Sequence, residues 1–168
     1  MKEKFNSFIE DGFSYTLFRP KPWKLFIVCF QDMTISKRIR FILSSITGDV
    51  IYYMMNEKNV YLGYCLLERK NWRYPFLKKN DYIISPYVIN PEYRGMGLGT
   101  QLLRNVGNAF TNFATGRLYA MVKIDNTPSI RAFEKVNATQ MGYANIDGVF
   151  RKYKKCSRDS AEFLIYMI

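Results

Sequence analysis

Residues 82–100 read Tyr-Ile-Ile-Ser-Pro-Tyr-Val-Ile-Asn, then Pro-Glu-Tyr, then Arg94-Gly95-Met96-Gly97-Leu98-Gly99-Thr100. The apolar run up to Asn90 predicts a strand, and Asn90-Pro91 predicts the turn that ends it. Glycine at alternate positions, Gly95, Gly97 and Gly99, lets successive backbone N–H groups turn to one side as a concave nest for an anion. A helix opening at Leu98 adds its unpaired N–H groups and positive dipole end to that attraction. A phosphate or pyrophosphate suits such a place, with Arg94 supplying charge at its rim.

Downstream, residues 98–114 carry Leu98, Leu102, Leu103, Val106, Ala109 and Phe110 on one helical face, stopped near Gly116. Residues 118–124 are apolar on both faces, as a central buried strand should be. Thr127-Pro128 then predicts a second helix, with Thr127 as cap and Pro128 at its first position, running to about Val136. Two final strands are expected near 140–155 and 161–168.

Upstream, 50–56 and 60–68 read as a hairpin around Glu57-Lys58-Asn59. Residues 13–18 and 23–30 read as strands, and 36–46 as a helix. The order gives an α/β chain, a mixed sheet with a right-handed crossover in its middle, in a single domain over 1–168.

The glycine loop fits neither of two common phosphate binders. A Walker loop needs Lys where Thr100 stands, and G-x-G-x-x-G fails in both registers. What fits is R-x-x-G-x-G between a strand and a helix. Here the chain resembles the GNAT acyltransferase superfamily, whose coenzyme A loop reads (Q/R)-x-x-G-x-(G/A), in this chain Arg94 to Gly99. A second match supports it: Asn126-Thr127-Pro128-Ser129-Ile130-Arg131-Ala132-Phe133-Glu134-Lys135 is similar to that family's N-x-x-S-x-x-x-(Y/F)-E-K.

The resemblance implies a mostly antiparallel sheet, splayed at its centre and flanked by helices, and acetyl transfer from acetyl-CoA to an amine. It also implies the site. Backbone groups around Val88 and Ile89 would pair with the pantetheine arm. Arg94, Gly95, Gly97, Leu98, Gly99 and Thr100 would hold the pyrophosphate, while Asn126 and Ser129 would bond the pantetheine side. Pro86 departs from the pattern, since a central strand loses a donor there. It either starts the splay or marks a later strand beginning.

Catalysis departs further. In many members a Tyr seven residues after the motif Asn protonates the leaving thiolate, and here that position is Phe133. Another Tyr replaces it, the thiolate leaves unassisted, or the chain does not catalyse. The weak candidates are Tyr87, Tyr143 and, as a base, Glu92; Asp81 and Glu57 are weaker still. The acceptor side is expected among 36–46, the loop 69–79 and the last hairpin. In that loop Trp72, Tyr74 and Phe76 alternate with Arg69, Lys70, Arg73, Lys78 and Lys79, a mixture suited to a phosphorylated ligand or to capping the sheet edge.

Composition agrees with this reading. The 168 residues are 48% hydrophobic and carry a net charge of +11 with no histidine. Ser-His-Asp and Cys-His mechanisms are therefore excluded within the chain. The positive balance favours an anionic partner. Three cysteines, Cys29, Cys65 and Cys156, are widely spaced without a CxxC pair, so neither a zinc site nor a disulfide framework is expected. No metal, secretory leader or membrane span is expected, which places the chain in the cytoplasm.

The acceptor read this way is a small-molecule primary amine, with an amino sugar or nucleotide-linked sugar preferred. The alternatives are a protein or peptide amine, or a non-catalytic acyl-CoA-binding module. Nucleic acid is not expected, and a homodimer is compatible with all of this.

Overall fold

Short runs rich in Tyr, Ile, Leu and Val, punctuated by Gly, Asn and Pro, form nine strands among the residues that the computed structural model describes, namely 6–10, 12–19, 47–148 and 152–168. The chain divides into two compact units, one of Met1–Glu68 with Pro86–Leu98, the other of Arg69–Ser85 with Gly99–Ile168.

The first unit is an antiparallel meander of β1 (Asn6–Glu10), β2 (Phe13–Phe18), β3 (Val50–Asn56) and β4 (Tyr61–Arg69). The β3–β4 turn is fixed locally: the Asn56 side-chain oxygen accepts from the Lys58 and Val60 amides, and Asn59 takes φ +58°. Asn tolerates that left-handed conformation better than most residues. Phe18, Ile51, Tyr53, Tyr64 and Leu66 form one core cluster, with Val88 packed on it. Elsewhere in the unit the Tyr15 and Tyr52 rings stack at 6.0 Å, and Met54 and Cys65 are fully buried. Burial of consecutive residues explains why β3 and β4 read as unbroken apolar runs rather than alternating ones.

The second unit holds the crossover. β5 (Tyr82–Ile89) starts in it and pairs in parallel with β6 (Leu118–Lys123), the two joined through α1 (Leu98–Phe113). From β6 the ladders run antiparallel to β9 (Phe163–Met167), β7 (Thr139–Asp147) and β8 (Lys152–Cys156). α2 (Thr127–Lys135) leads from β6 to β7. Leu98, Leu102, Leu103, Val106 and Phe110 of α1 are buried, as their spacing predicts, with Ala109 half-buried beside them.

A polar staple closes this unit. The buried Asp81 carboxylate accepts from the Arg117 amide at 3.0 Å through one oxygen and from the Lys78 amide at 2.8 Å through the other. Both oxygens are thereby satisfied in a place that would penalise a bare charge.

Several expectations change. The strand 23–30 and the helix 36–46 lie outside the described residues. The chain end forms three strands rather than two, because Gly148 at φ +69° turns the predicted 140–155 segment back on itself. β1 was not expected at all. β6 buries Leu118, Ala120 and Val122 on one face, while Tyr119 and Met121 on the other are only half-buried. The cap of α2 is Asn126, not Thr127.

Candidate active site

The parallel β5–β6 ladder ends at Ile84↔Ala120, two residues before Pro86. In that ladder the Tyr82 amide donates to the Arg117 carbonyl, so by alternation Pro86 stands where the next donor but one would be needed. The strand nevertheless runs through to Ile89. Pro86 therefore stops a ladder and does not delay a strand.

On the β4 side the Asn90 amide donates to the Leu62 carbonyl at 2.8 Å. Asn90 therefore addresses β4, Val88 does so by alternation, and Ile89 faces the other way.

Gly63 supports that assignment. A Cβ there would stand 2.8 Å from the Val88 carbonyl oxygen and 2.6 Å from the Ile89 side chain, so the close approach of β4 to β5 requires glycine. Sequence reasoning missed Gly63, although an isolated glycine within an apolar strand was the available signal. The two strand residues expected to bind a ligand through their backbone, Val88 and Ile89, thus turn their backbone groups to opposite sides. The Ile89 carbonyl accepts from Arg94 Nε at 3.2 Å.

Next comes the glycine loop. Asn90 caps a 3₁₀ turn, Pro91–Tyr93, and its side chain also donates to the Tyr61 carbonyl. Gly95 and Gly97 adopt φ +80° and +77°, with nothing within 4 Å of where a Cβ would stand. Conformation rather than space demands glycine at both. The chain enters α1 at Leu98, and the first turn of α1 has no acidic side chain to compete for its amides. Leu98 is buried; Gly99 and Thr100 are half-buried.

Asn126 Oδ1 accepts from the Ser129 amide at 3.3 Å, which ties the two motif residues together. Phe133 is buried and stacks on Tyr166 with ring centroids 5.3 Å apart. Burial, then Glu134 and then Tyr143 push the Tyr166 phenol above its ordinary value of 10.0.

The catalytic candidates are dispersed. Tyr87 is half-buried, and burial, with the nearby Cys65 thiol second, pushes its phenol well up. Tyr143 is half-buried in β7, in register with Leu164 and Cys156. Glu92 is exposed on the 3₁₀ turn, and Glu57 on the β3–β4 turn. Asp81 is occupied by the staple described above. In the 69–79 loop Tyr74 stacks on Tyr153 at 5.3 Å, and Phe76 meets Tyr119 edge-on. These two aromatics cap the sheet; only Trp72 of the three is exposed. No group of metal-ligating side chains occurs among the described residues.

The family model for the acetyltransferase (GNAT) family matches residues 18–138. The chain belongs to that family. No curated protein matches it. Among solved structures, this GNAT chain resembles the ribosomal-protein-S5-alanine acetyltransferase from Vibrio fischeri at 11% identity and TM-score 0.62, covering 96% of this chain and 95% of that one. A GNAT family acetyltransferase from Elizabethkingia anophelis with acetyl-CoA bound matches at 13% identity and TM-score 0.61, over 95% and 99%. A spermidine N-acetyltransferase from Vibrio cholerae matches at 14% identity and TM-score 0.57, over 80% and 73%. These neighbours share the mixed, mostly antiparallel fold with the GNAT chain.

Proposed function

We propose that this chain, acting as one catalytic domain over 1–168, transfers the acetyl group of acetyl-CoA to a primary amine of a small molecule. The observation that carries the reading is the loop in which Gly95 and Gly97, both left-handed, open onto the N-terminus of a helix with no acid in its first turn. That donor set suits a diphosphate, and Arg94 adds an exposed guanidinium. Ile89 offers its N–H and C=O as an amide-rich arm needs, and Asn126 with Ser129 offers a second polar contact.

Acetyl-CoA supplies the activated thioester, and the chain has to orient an amine and receive the proton it loses. Phe133 has no proton to give. Tyr87 stays neutral at physiological pH, and handing its proton to a thiolate is uphill, because its acidity lies below that of a thiol of pKa ~8.5. Its hydroxyl therefore orients by hydrogen bonding, and the thiolate departs unassisted. Tyr87→Phe is expected to lower kcat less than ~tenfold, against the ~10²–10⁴ expected of a general acid.

The preferred acceptors are amino sugars and nucleotide-linked sugars, on the strength of the positive charge, with the reaction placed in the cytoplasm. Phe133, sealed against Tyr166, favours one second reading, a module that binds acyl-CoA without turnover. Thiol release from acetyl-CoA with a panel of amino sugars, polyamines, aminoglycosides and peptides separates the two. Amine-dependent release supports transfer; tight binding with no release on any acceptor favours the module. Absence of both calorimetric heat and thermal stabilisation with CoA and acetyl-CoA overturns both.

A further inference from the structure

The Arg94 side chain is exposed, and its Nε donates to the Ile89 carbonyl, five residues back, at 3.2 Å. Its backbone is held in place: φ is −70° and ψ 155°, and its amide donates to the Pro91 carbonyl at 3.3 Å. The turn between Ile89 and Arg94 is held as well. Asn90 Nδ2 donates to the Tyr61 carbonyl, Asn90 Oδ1 accepts from the Glu92 amide, and the Tyr93 amide donates to the Asn90 carbonyl. On this fixed frame the exposed guanidinium is the part left to move.

The direction of the Ile89 carbonyl follows from its peptide plane. The Asn90 amide points at Leu62 of β4, and a trans peptide sets the preceding C=O opposite that N–H. The Ile89 carbonyl is therefore turned away from β4, and the ladder from β5 to β6 has already ended at Ile84. Arg94 thus bonds the carbonyl proposed above for the pantetheine arm. An incoming amide has to displace the guanidinium or share the oxygen with it. A carbonyl has two lone pairs, but two donors drawing on one oxygen each bond less strongly.

On the other side of Arg94 stand Gly95 and Gly97, at φ +80° and +77°, the place proposed for the diphosphate. A guanidinium–phosphate bond is charge-assisted and about twice as strong as one between neutral groups. A bound diphosphate draws the guanidinium forward and releases the carbonyl behind it.

We propose that Arg94 determines specificity: it covers the Ile89 carbonyl until a diphosphate draws it away, so a thioester arm binds well only with a diphosphate attached. The chain thereby selects acyl-CoA over the same arm without that group. This inference rests on the acetyl-CoA reading above.

The test titrates the full chain with acetyl-CoA, S-acetylpantetheine and ADP, read by NMR. Arg94→Ala should move the first two in opposite directions. S-acetylpantetheine, which carries no phosphate, should bind ~2- to 10-fold more tightly, the worth of one hydrogen bond no longer in competition. Acetyl-CoA should bind ~10-fold more weakly, having lost a charge-assisted bond. In the wild-type chain saturating ADP should tighten S-acetylpantetheine ~2- to 10-fold, and the reverse effect should be equal; in Arg94→Ala both should vanish. Arg94→Glu, which removes the donor and repels phosphate, should keep the gain for S-acetylpantetheine. A role for Arg94 in loop structure alone would weaken both ligands together. With acetyl-CoA still binding the wild-type chain, the proposal is overturned by S-acetylpantetheine binding that does not tighten in Arg94→Ala, that is undetectable in every form, or whose coupling to ADP survives the substitution. A wild-type chain that binds no acetyl-CoA would overturn the acetyl-CoA reading, and this inference with it.

Discussion

At Gly116 an added Cβ would collide with the Asn80 carbonyl, whereas at Gly97 it would meet nothing within 4 Å, so the same substitution tests different physics at the two places. Gly116→Ala forces backbone apart beside the Asp81 staple and should cost about 1–3 kcal/mol in urea denaturation. Gly97→Ala should cost about 1 kcal/mol or less in stability. It should weaken acetyl-CoA binding ~tenfold in calorimetry, because an alanine at φ +77° pulls the loop out of its left-handed turn. Cys65 offers a third residue-scale outcome. It is fully buried, which pushes its thiol well above the ordinary 9.0, so it should resist alkylation by N-ethylmaleimide at pH 8 while the partly exposed Cys156 reacts. Peptide-resolved mass spectrometry reads both. Gly95, Gly97 and Arg94 were legible in the sequence because φ and charge are properties of residue type. Gly63 was not read, since its need arises from a strand that lies beside it only after folding.

Among the elements, α2 shows how a good local signal can slip by one. Thr127-Pro128 marks a helix start, and it does, but Asn126 reaches the Ser129 amide and takes the cap. Asn126→Ala should lower stability by about 1 kcal/mol, while Asn126→Asp should retain most of it. A loss of acetyl-CoA affinity in the Asp variant without a loss of stability would separate the ligand role of this side chain from its capping role. α1 was fully legible because five large apolar residues recur on one face, and the same regularity exposes its one irregular member. Asn105 is buried on that face; its NH₂ donates to the Gln101 carbonyl, but its carbonyl oxygen has no partner among the described residues. Asn105→Ala should therefore be neutral or stabilising by up to about 1 kcal/mol, unlike any neighbouring truncation. The chain end was misread as two strands although Asp147-Gly148, an Asp-Gly pair of the kind that marks hairpin turns, stood in the sequence. The proton donor stayed unread for a different reason: the tyrosines lie on different strands, and sequence distance says nothing about which of them meets the sulfur.

For the whole molecule, protonation sets the upper pH limit. Tyr87 and Tyr166 have raised folded-state values against an ordinary 10.0, and Cys65 against 9.0. The native state therefore holds these protons after the unfolded chain has released them. The stability they contribute is fully present below pH 9 and declines as pH rises above it, Cys65 first and the tyrosines from about pH 10. Urea midpoints measured from pH 8 to 10.5 should fall, and Cys65→Ala should delay the onset of that fall. Gly63 has a consequence of its own. Any side chain there would lever Val88 away from β4, so Gly63→Val should loosen the run-up to the glycine loop, and the thermal stabilisation that acetyl-CoA gives should shrink with it.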